Sequence, residues 1–280
     1  MKWTPGGRSS NLEDRRGSRI GGRTMGVGGS LIVLVLSLIF GTNLFDAVPG
    51  GSVVAPPASA DAPVTASPEE ERMVQFVSMV LDSTQTTWAR LLPSLGRQYE
   101  DAKLVLFRDA VQSGCGTAPA AAGPFYCPLD QKVYVDLSFF DQLDRRFGAP
   151  GDFAQAYVLA HEIGHHVQHL LGIEQQVRQG SQQRPAQANQ LSVLLELQAD
   201  CFAGVWGNAA QRKGMLDPGD VEEGLGAAAA VGDDAIQRAS TGSVHQESFT
   251  HGSSAQRAEW FRRGFQTGDP NSCDTFAGVS

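Results

Sequence analysis

Residues 161–165 read His161-Glu162-Ile163-Gly164-His165. His161 and His165 stand at positions i and i+4, so on a helix both imidazole rings project from one face, a turn apart. Two ring nitrogens placed in this way can each reach one Zn²⁺ at about 2.0–2.1 Å. Glu162 follows the first histidine directly and can accept a proton from a zinc-activated water as general base. The motif therefore predicts a helix that carries two zinc ligands and a catalytic glutamate.

The neighbours of the motif favour this interpretation. An apolar stripe with Phe153, Tyr157 and Val158 precedes it, which indicates a buried helix face where polar groups need a partner such as a metal. The alternative is a pair of core histidines satisfied by hydrogen bonds, because a bare H-E-x-x-H motif also occurs by chance. His166 points to another face and His169 lies a further turn along, so neither is assigned a metal role.

A third ligand is expected from the segment Leu195-Glu196-Leu197-Gln198-Ala199-Asp200. Glu196 and Asp200 also stand at i and i+4, on a helix whose other residues are mostly apolar. We interpret Glu196 as the residue that completes the zinc sphere. Asp200 would hydrogen-bond the outer nitrogen of a ligand histidine and orient its ring. The alternative is an ordinary exposed pair on an amphipathic helix.

The remainder of the body predicts an α+β fold, mainly helical with a small sheet. Ser67-Pro68-Glu69-Glu70 is a capping box that begins a helix ending near Leu92. Lys103–Arg108 and Lys132–Asp136 are rich in β-branched and aromatic residues and are predicted strands. Further helices are predicted over residues 138–147, 152–171, 186–212, from 217 onwards and 253–266, with a Gln-rich link before the third of these.

The charge balance differs between the two parts of the chain. Its net charge of −8 argues against a protein that mainly binds nucleic acid. Residues 1–24 carry a balance of +4, which leaves −12 for the rest. Residues 25–45 contain no charge, and a helix of that length would span roughly 30 Å of hydrocarbon. We therefore expect a transmembrane anchor there.

The positive-inside rule places the basic head, residues 1–24, in the cytoplasm and the body on the other side of the membrane. Residues 46–67 are rich in Pro, Ala and Gly and are a predicted linker, so the folded domain is expected over 68–280. Two alternatives remain: a signal peptide cleaved at Ala58-Ser59-Ala60, and a buried helix of a soluble protein.

Four cysteines, all beyond the apolar run, indicate disulfides in an oxidising compartment. Of the three possible pairings we favour Cys115 with Cys127, which flank a Gly/Pro/Ala-rich loop, and Cys201 with Cys273. No C-x-x-C pair is present, so a cysteine zinc site is not expected. The alternative is four free buried thiols.

The segments HEIGHH, ELQADCFAG and FTHGSSAQR together resemble the bacterial "putative neutral zinc metallopeptidase" family of membrane-tethered proteins, and more broadly the gluzincins related to the CAAX-prenyl and heat-shock membrane proteases. The resemblance runs from about residue 68 to 276, and the N-terminal MKWTPGGRSSN is similar too. It implies one zinc ion held by His161, His165 and Glu196, with Glu162 as base and Asp200 behind the ligands.

The resemblance extends to a second segment. In the wider relatives a His-Pro segment is followed by an Arg six residues after the His, and here His251 and Arg257 have that spacing. His251 is thereby implied to bind the oxyanion and Arg257 to support the site. Gly252 replaces the proline, which is a departure from the pattern. By the same analogy, the strand Val133–Asp136 would be the edge to which an extended substrate adds.

The sequence is compatible with three functions. The leading hypothesis is a zinc metallopeptidase anchored in the bacterial cell envelope, which acts on a peptide or protein substrate and binds no nucleic acid. The second is a non-catalytic envelope scaffold in which zinc holds helices together, although a structural site has no use for Glu162 and normally has four protein ligands. The third is a zinc amidase that acts on cell-wall peptides.

Overall fold

The computed structural model describes residues 1–18, 64 and 66–278. The predicted anchor over residues 25–45 lies outside the described residues, as do nearly all of the predicted linker and the Ala58–Ala60 cleavage site. Among the described helices, none is long and apolar enough to cross a membrane.

The described residues are mainly helical with a small sheet, as predicted for an α+β fold. The strands are β1 (Leu12–Asp14), β2 (Lys103–Phe107), β3 (Ala110–Ser113), β4 (Gly116–Pro119), β5 (Phe125–Cys127) and β6 (Lys132–Asp136). The α-helices are α1 (Pro68–Leu91), α2 (Ser138–Arg145), α3 (Asp152–Leu171), α4 (Ile173–Gln183), α5 (Ala188–Arg212), α6 (Asp220–Ala230), α7 (Asp233–Thr241) and α8 (Ser254–Thr267).

Two helices begin where their capping residues predict. The Ser67 hydroxyl accepts from the Glu70 backbone N–H at 3.1 Å at the start of α1. At the start of α8, the Ser253 hydroxyl and the Gln256 side chain form a complete capping box. These local bonds satisfy backbone donors that the helix itself leaves free, so each boundary is readable from sequence.

The main sheet has the order β1-β2-β6-β5, with β5 antiparallel to β6 and the other pairs parallel. The expectation that β6 is the edge strand available to a substrate is wrong, because β6 lies between β2 and β5. A tight turn after β5 brings that strand back beside β6, and the rings of Phe125 and Tyr134 stack across the pair at 4.8 Å. The edge on this side of the sheet is therefore β5.

The Gln-rich segment, predicted as a link, contains helix α4. Its residue Val177 is buried and packs with Leu191 and Leu195 of α5, together with the partly buried Ile173. Glutamine is a good helix former, and a few apolar residues facing α5 are enough to dock a short helix of otherwise polar composition. The two predicted ligand helices are thus joined by structure rather than by an extended link.

Residues 1–18, here called the N-terminal arm, pack on the body. Strand β1 adds to the edge of β2 in parallel register, with Leu12 opposite Leu104. The Arg16 guanidinium is buried and pairs with Asp14 at 2.6 Å and with Glu70 at 2.7 Å. The described part of the expected head therefore contacts the body: its backbone pairs with β2, and its charge with the acidic first turn of α1.

Both predicted disulfide pairings are confirmed. Cys115 is bonded to Cys127 and Cys201 to Cys273, and none of the four cysteines is free. The first disulfide joins the loop after β3 to β5, and the second ties the C-terminal tail, residues 268–278, to helix α5.

Candidate metal centre

The centre lies where helices α3 and α5 pack together. Gly164 of α3 allows the close approach, because a Cβ at this position would lie 3.0 Å from the backbone oxygen of Ala199. Ala199 is itself small and fully buried. A glycine and an alanine at the contact therefore bring the polar faces of the two helices within reach of each other.

The three predicted ligands converge there. The Nε2 atoms of His161 and His165 are 3.1 Å apart. The Glu196 carboxylate lies 3.2 Å from Nε2 of His161 and 3.4 Å from Nε2 of His165. All three side chains are largely shielded from solvent. The structure thus brings together the two halves of the predicted set, which are 35 residues apart in sequence.

This arrangement fits a metal cation. Nδ1 of His161 faces Asp200 Oδ1 at 2.8 Å, and Nδ1 of His165 faces Gln168 Oε1 at 2.9 Å. Both partner atoms only accept, so both Nδ1 atoms donate. Two Nε2 lone pairs and a carboxylate then face one another, which is stable only with protons or a metal among them. Two imidazoles and a carboxylate are a donor set that suits zinc.

The electrostatics of the centre favour bound positive charge. Burial lowers the pKa of His161, but the charge of Asp200 and the hydrogen bonds to Asp200 and Glu196 outweigh it and raise that pKa to about 9. Burial also opposes the charged form of Glu196, yet the charge of His165 and hydrogen bonds from both histidines hold its pKa well below its usual range. The residues of this pocket therefore bind protons tightly, and these protons compete with a metal.

Asp200 belongs to a buried network behind His161. The Arg257 guanidinium donates to both of its carboxylate oxygens, at 2.8 and 2.9 Å. The Tyr157 hydroxyl donates to Asp200 Oδ1 at 2.5 Å. Burial raises the pKa of Asp200, but the charges of Arg257 and His161 outweigh it and lower that pKa. The sequence predicted that Asp200 lies behind the ligands and that Arg257 supports the site. It indicated Tyr157 only as part of an apolar helix face.

His251 lies at the rim of the same cleft, held by Asp233. Its Nδ1 faces Asp233 Oδ1 at 3.0 Å. Asp233 Oδ2 accepts from the backbone N–H groups of Thr250, His251 and Gly252, at 2.7, 2.7 and 3.1 Å. Sequence reasoning missed Asp233, because it begins helix α7 and nothing local links it to the loop that it organises.

Glu162 is buried and lines the cleft beside the predicted ligands. Desolvation raises the pKa of its carboxyl, although the charges of His161 and His165 oppose this shift. A raised carboxyl pKa suits a group that must both accept and return a proton near neutral pH. Glu162 thus lies in the same cleft as the predicted ligands, with a buried carboxyl of raised pKa.

The cleft above these residues has a volume of about 430 Å³. Its lining includes Phe125 and Tyr126 of β5 together with Phe139, Phe147 and Val158. These side chains are mainly apolar, and the predicted ligands line the same cleft. A concave apolar site with a few converging polar groups is typical of a binding cleft.

The other histidines take no part in the centre. His166 bonds the Tyr126 hydroxyl at 2.9 Å and the Glu100 carbonyl at 2.7 Å, and burial lowers its pKa to about 4. His169 lies 3.4 Å from Glu174. His245 is exposed on the surface.

A second acidic group stands at the start of α3. The carboxylates of Asp152, Asp220 and Glu223 approach one another, and the amino group of Met1 lies 2.7 Å from Asp152 and 3.3 Å from Asp220. This ammonium already supplies positive charge to the group. The contact also adds to those that hold the N-terminal arm on the body.

Comparison with known proteins adds a family and several relatives. The model of a family described as "Putative neutral zinc metallopeptidase" matches residues 1–276, which include the N-terminal arm. The uncharacterized protein YpfJ of Escherichia coli K12 is 47% identical over 284 residues, covering 99% of each chain. The uncharacterized protein Rv2575 of Mycobacterium tuberculosis H37Rv is 45% identical over 207 residues, covering 70% of this chain and 68% of that protein. No solved structure gives a significant match.

Proposed function

The chain belongs to the family described as "Putative neutral zinc metallopeptidase", and from this premise we propose that it hydrolyses peptide bonds with zinc and a glutamate base. The observation that carries the proposal is the convergence of His161, His165 and Glu196 in a cleft that Glu162 also lines. One zinc ion is the cofactor that this donor set would hold. When bound, zinc would polarise the scissile carbonyl and acidify a water molecule.

Glu162 is the proposed general base. Its buried carboxylate accepts the proton of the attacking water and then delivers it to the leaving amine. The raised pKa of this group supports the second transfer, because the carboxyl holds the proton until the amine can take it. One residue therefore serves both steps, as its place beside the predicted ligands requires.

His251 is the proposed donor to the oxyanion that develops on the attacked carbonyl. Nδ1 of His251 donates to Asp233, which fixes the ring and leaves Nε2 as the nitrogen available to the substrate. Asp233 is a positioning residue, since it also binds three successive backbone N–H groups of the His251 loop. Arg257 acts further back and holds Asp200 against His161.

A peptide would lie along β5. Within the described residues β5 pairs only with β6, so its other edge has backbone groups available to an added strand. Phe125 and Tyr126 of this strand also line the cleft, so a peptide in that position would cross the predicted ligands. The apolar wall supports a substrate with apolar side chains at the bond to be cleaved. The strand predicted for this role, β6, is replaced by β5.

For localisation, we propose that the body is extracytoplasmic in the bacterial cell envelope and attached to a membrane through residues 25–45. The two disulfides support an oxidising compartment. The arm was expected in the cytoplasm, but its contacts with β2 and α1 favour the same side as the body. We therefore place residues 1–18 beside the catalytic domain, so residues 25–45 would attach the chain to the membrane without a single crossing between the arm and the body.

The experiment compares Glu162→Gln with wild-type protein, using casein as an unfolded substrate and measuring bound zinc. We expect the variant to keep its zinc and to lose casein hydrolysis by at least about 100-fold, as for a general acid-base group. Glu247→Gln, at an exposed position, is the matched control and should retain full activity. Retained hydrolysis in Glu162→Gln would overturn the assignment of the base. Zinc without hydrolysis in the wild-type protein would favour the scaffold.

A further inference from the structure

The orientation of His165 depends on a buried glutamine. Gln168 is fully buried one turn further along α3, and its Oε1 faces Nδ1 of His165 at 2.9 Å. An amide oxygen only accepts, so Nδ1 carries the proton and Nε2 is the nitrogen that faces His161 and Glu196. Gln168 therefore selects the tautomer in which His165 can bind a metal.

The amide of Gln168 can take only one orientation. Its Nε2 donates to the Leu195 carbonyl at 2.7 Å and to Gln198 Oε1 at 3.1 Å. Because a backbone carbonyl can only accept, the amide nitrogen must face Leu195, which leaves the oxygen for His165. Gln168 therefore couples the orientation of the His165 ring to the position of helix α5.

Gln198 extends the same chain of bonds to the C-terminal tail. Its Nε2 donates to the Cys273 carbonyl at 3.0 Å, and this second carbonyl fixes the orientation of the second amide. Gln198 is 5% exposed and Cys273 fully buried, so water cannot readily replace either partner. Three hydrogen bonds therefore connect the outer nitrogen of His165 to the backbone of Cys273.

The position of Cys273 is set by a covalent bond to the metal-binding helix. Cys273 is joined to Cys201, which follows Asp200 directly on α5. Nearby, the Thr275 hydroxyl donates to the Leu194 carbonyl at 2.7 Å. The disulfide thus holds against α5 the carbonyl that orients the Gln198 amide, whose oxygen in turn accepts from Gln168.

We propose that the Cys201–Cys273 disulfide positions His165 for zinc through Gln198 and Gln168. This inference rests on the proposed function, since it concerns the same metal centre. It gives the tail disulfide a role in metal affinity beyond that of a crosslink. Gln168 and Gln198 are positioning residues, because they act through His165.

Zinc affinity, measured by competition with a chromophoric chelator, tests the proposal on the full chain. Gln198→Met keeps the side-chain volume but removes the amide oxygen and nitrogen, and we expect it to weaken zinc binding by about 10–100-fold. The double variant Cys201→Ala/Cys273→Ala should weaken zinc binding by a factor in the same range. Two controls should bind zinc as the wild type does: Gln211→Met, at an exposed position of α5, and Cys115→Ala/Cys127→Ala, which removes the other disulfide.

Combining the changes provides the sharper test. If the disulfide acts through Gln198, adding Gln198→Met to the cysteine variant should weaken zinc binding less than about twofold further, because the amide has already lost its fixed partner. Multiplicative losses would overturn the proposal. So would a cysteine variant that binds zinc as the wild type does and is only less stable to heat.

The tautomer of His165 can be measured directly, without bound zinc and without the cysteine variant. In ¹⁵N NMR spectra of the metal-free protein at high pH, Nδ1 of His165 should carry the proton in the wild type, and Gln168→Met should abolish that preference. An unchanged tautomer in Gln168→Met would overturn the inference. Wild-type protein that binds no zinc would overturn the proposed function and the inference together, whereas zinc binding unaffected by Gln198→Met would overturn the inference alone.

Discussion

Two buried arginines, Arg257 at the metal centre and Arg16 in the N-terminal arm, make similar bonds for different purposes. Each guanidinium pairs with both oxygens of one aspartate, at 2.8 and 2.9 Å for Asp200 and at 2.8 and 2.6 Å for Asp14. The Asp200 pair is enclosed behind a predicted ligand, whereas Asp14 lies at the edge of the fold, with its side chain 13% exposed. The surroundings of a bidentate Arg–Asp pair therefore decide whether the pair orients a metal ligand or docks a segment of the chain.

The largest effect is expected from Arg257→Met. This change leaves Asp200 as a buried carboxylate with one cationic partner fewer, and breaking a buried pair in this way costs about 3–5 kcal/mol. Urea denaturation should show that loss of unfolding free energy, and zinc affinity should fall as well because Asp200 no longer holds His161. Arg262→Met, on the exposed face of α8, is the control. Unchanged zinc affinity would mean that Arg257 is only structural.

A smaller effect is expected from Arg16→Met. Asp14 and Glu70 are both partly exposed and regain water when the guanidinium is removed, so we expect a loss of about 1–3 kcal/mol of unfolding free energy. Zinc affinity should not change. Hydrogen exchange of the Arg15 amide, which donates to the Leu106 carbonyl at 2.8 Å, should become faster. Exchange equally fast in the wild-type protein would contradict a docked arm.

The two arginine sites are also expected to differ in the pH dependence of stability. Because the pKa of His161 is raised to about 9 in the folded protein, its contribution to stability is complete below about pH 6.5 and is lost as pH rises through about 9. Zinc requires the deprotonated ring, so zinc affinity should increase over the same interval. Arg16→Met should leave both slopes unchanged, since the pKa values of Asp14 and Glu70 are lowered and both groups titrate in acid. Denaturation and chelator competition from pH 6 to 9 would measure both slopes.

The sequence predicted those parts of the site that depend on spacing along one helix. His161 with His165, and Glu196 with Asp200, lie at i and i+4, so helix geometry alone places each pair on one face. Gly164 and Ala199 then bring the faces together.

Other parts depend on contacts between segments far apart in the chain, and sequence reasoning missed them. Asp233 organises a loop 18 residues away, and Gln168 meets Gln198 across 30 residues. The charge of the arm predicted a cytoplasmic head. In the structure, Arg8 and Arg16 of the arm pair with glutamates at the acidic start of α1. Strand order likewise follows from pairing, which is why β6 rather than β5 was expected at the edge.

In the proposed mechanism Glu196 binds zinc and Glu162 does not. Isothermal titration of zinc into metal-free Glu162→Gln and Glu196→Gln tests this claim most directly. We predict one zinc site of wild-type affinity in Glu162→Gln, and binding weaker by at least about 100-fold in Glu196→Gln, since an amide is a poor zinc ligand. Equal affinities in the two variants, or a loss of zinc only in Glu162→Gln, would contradict the account.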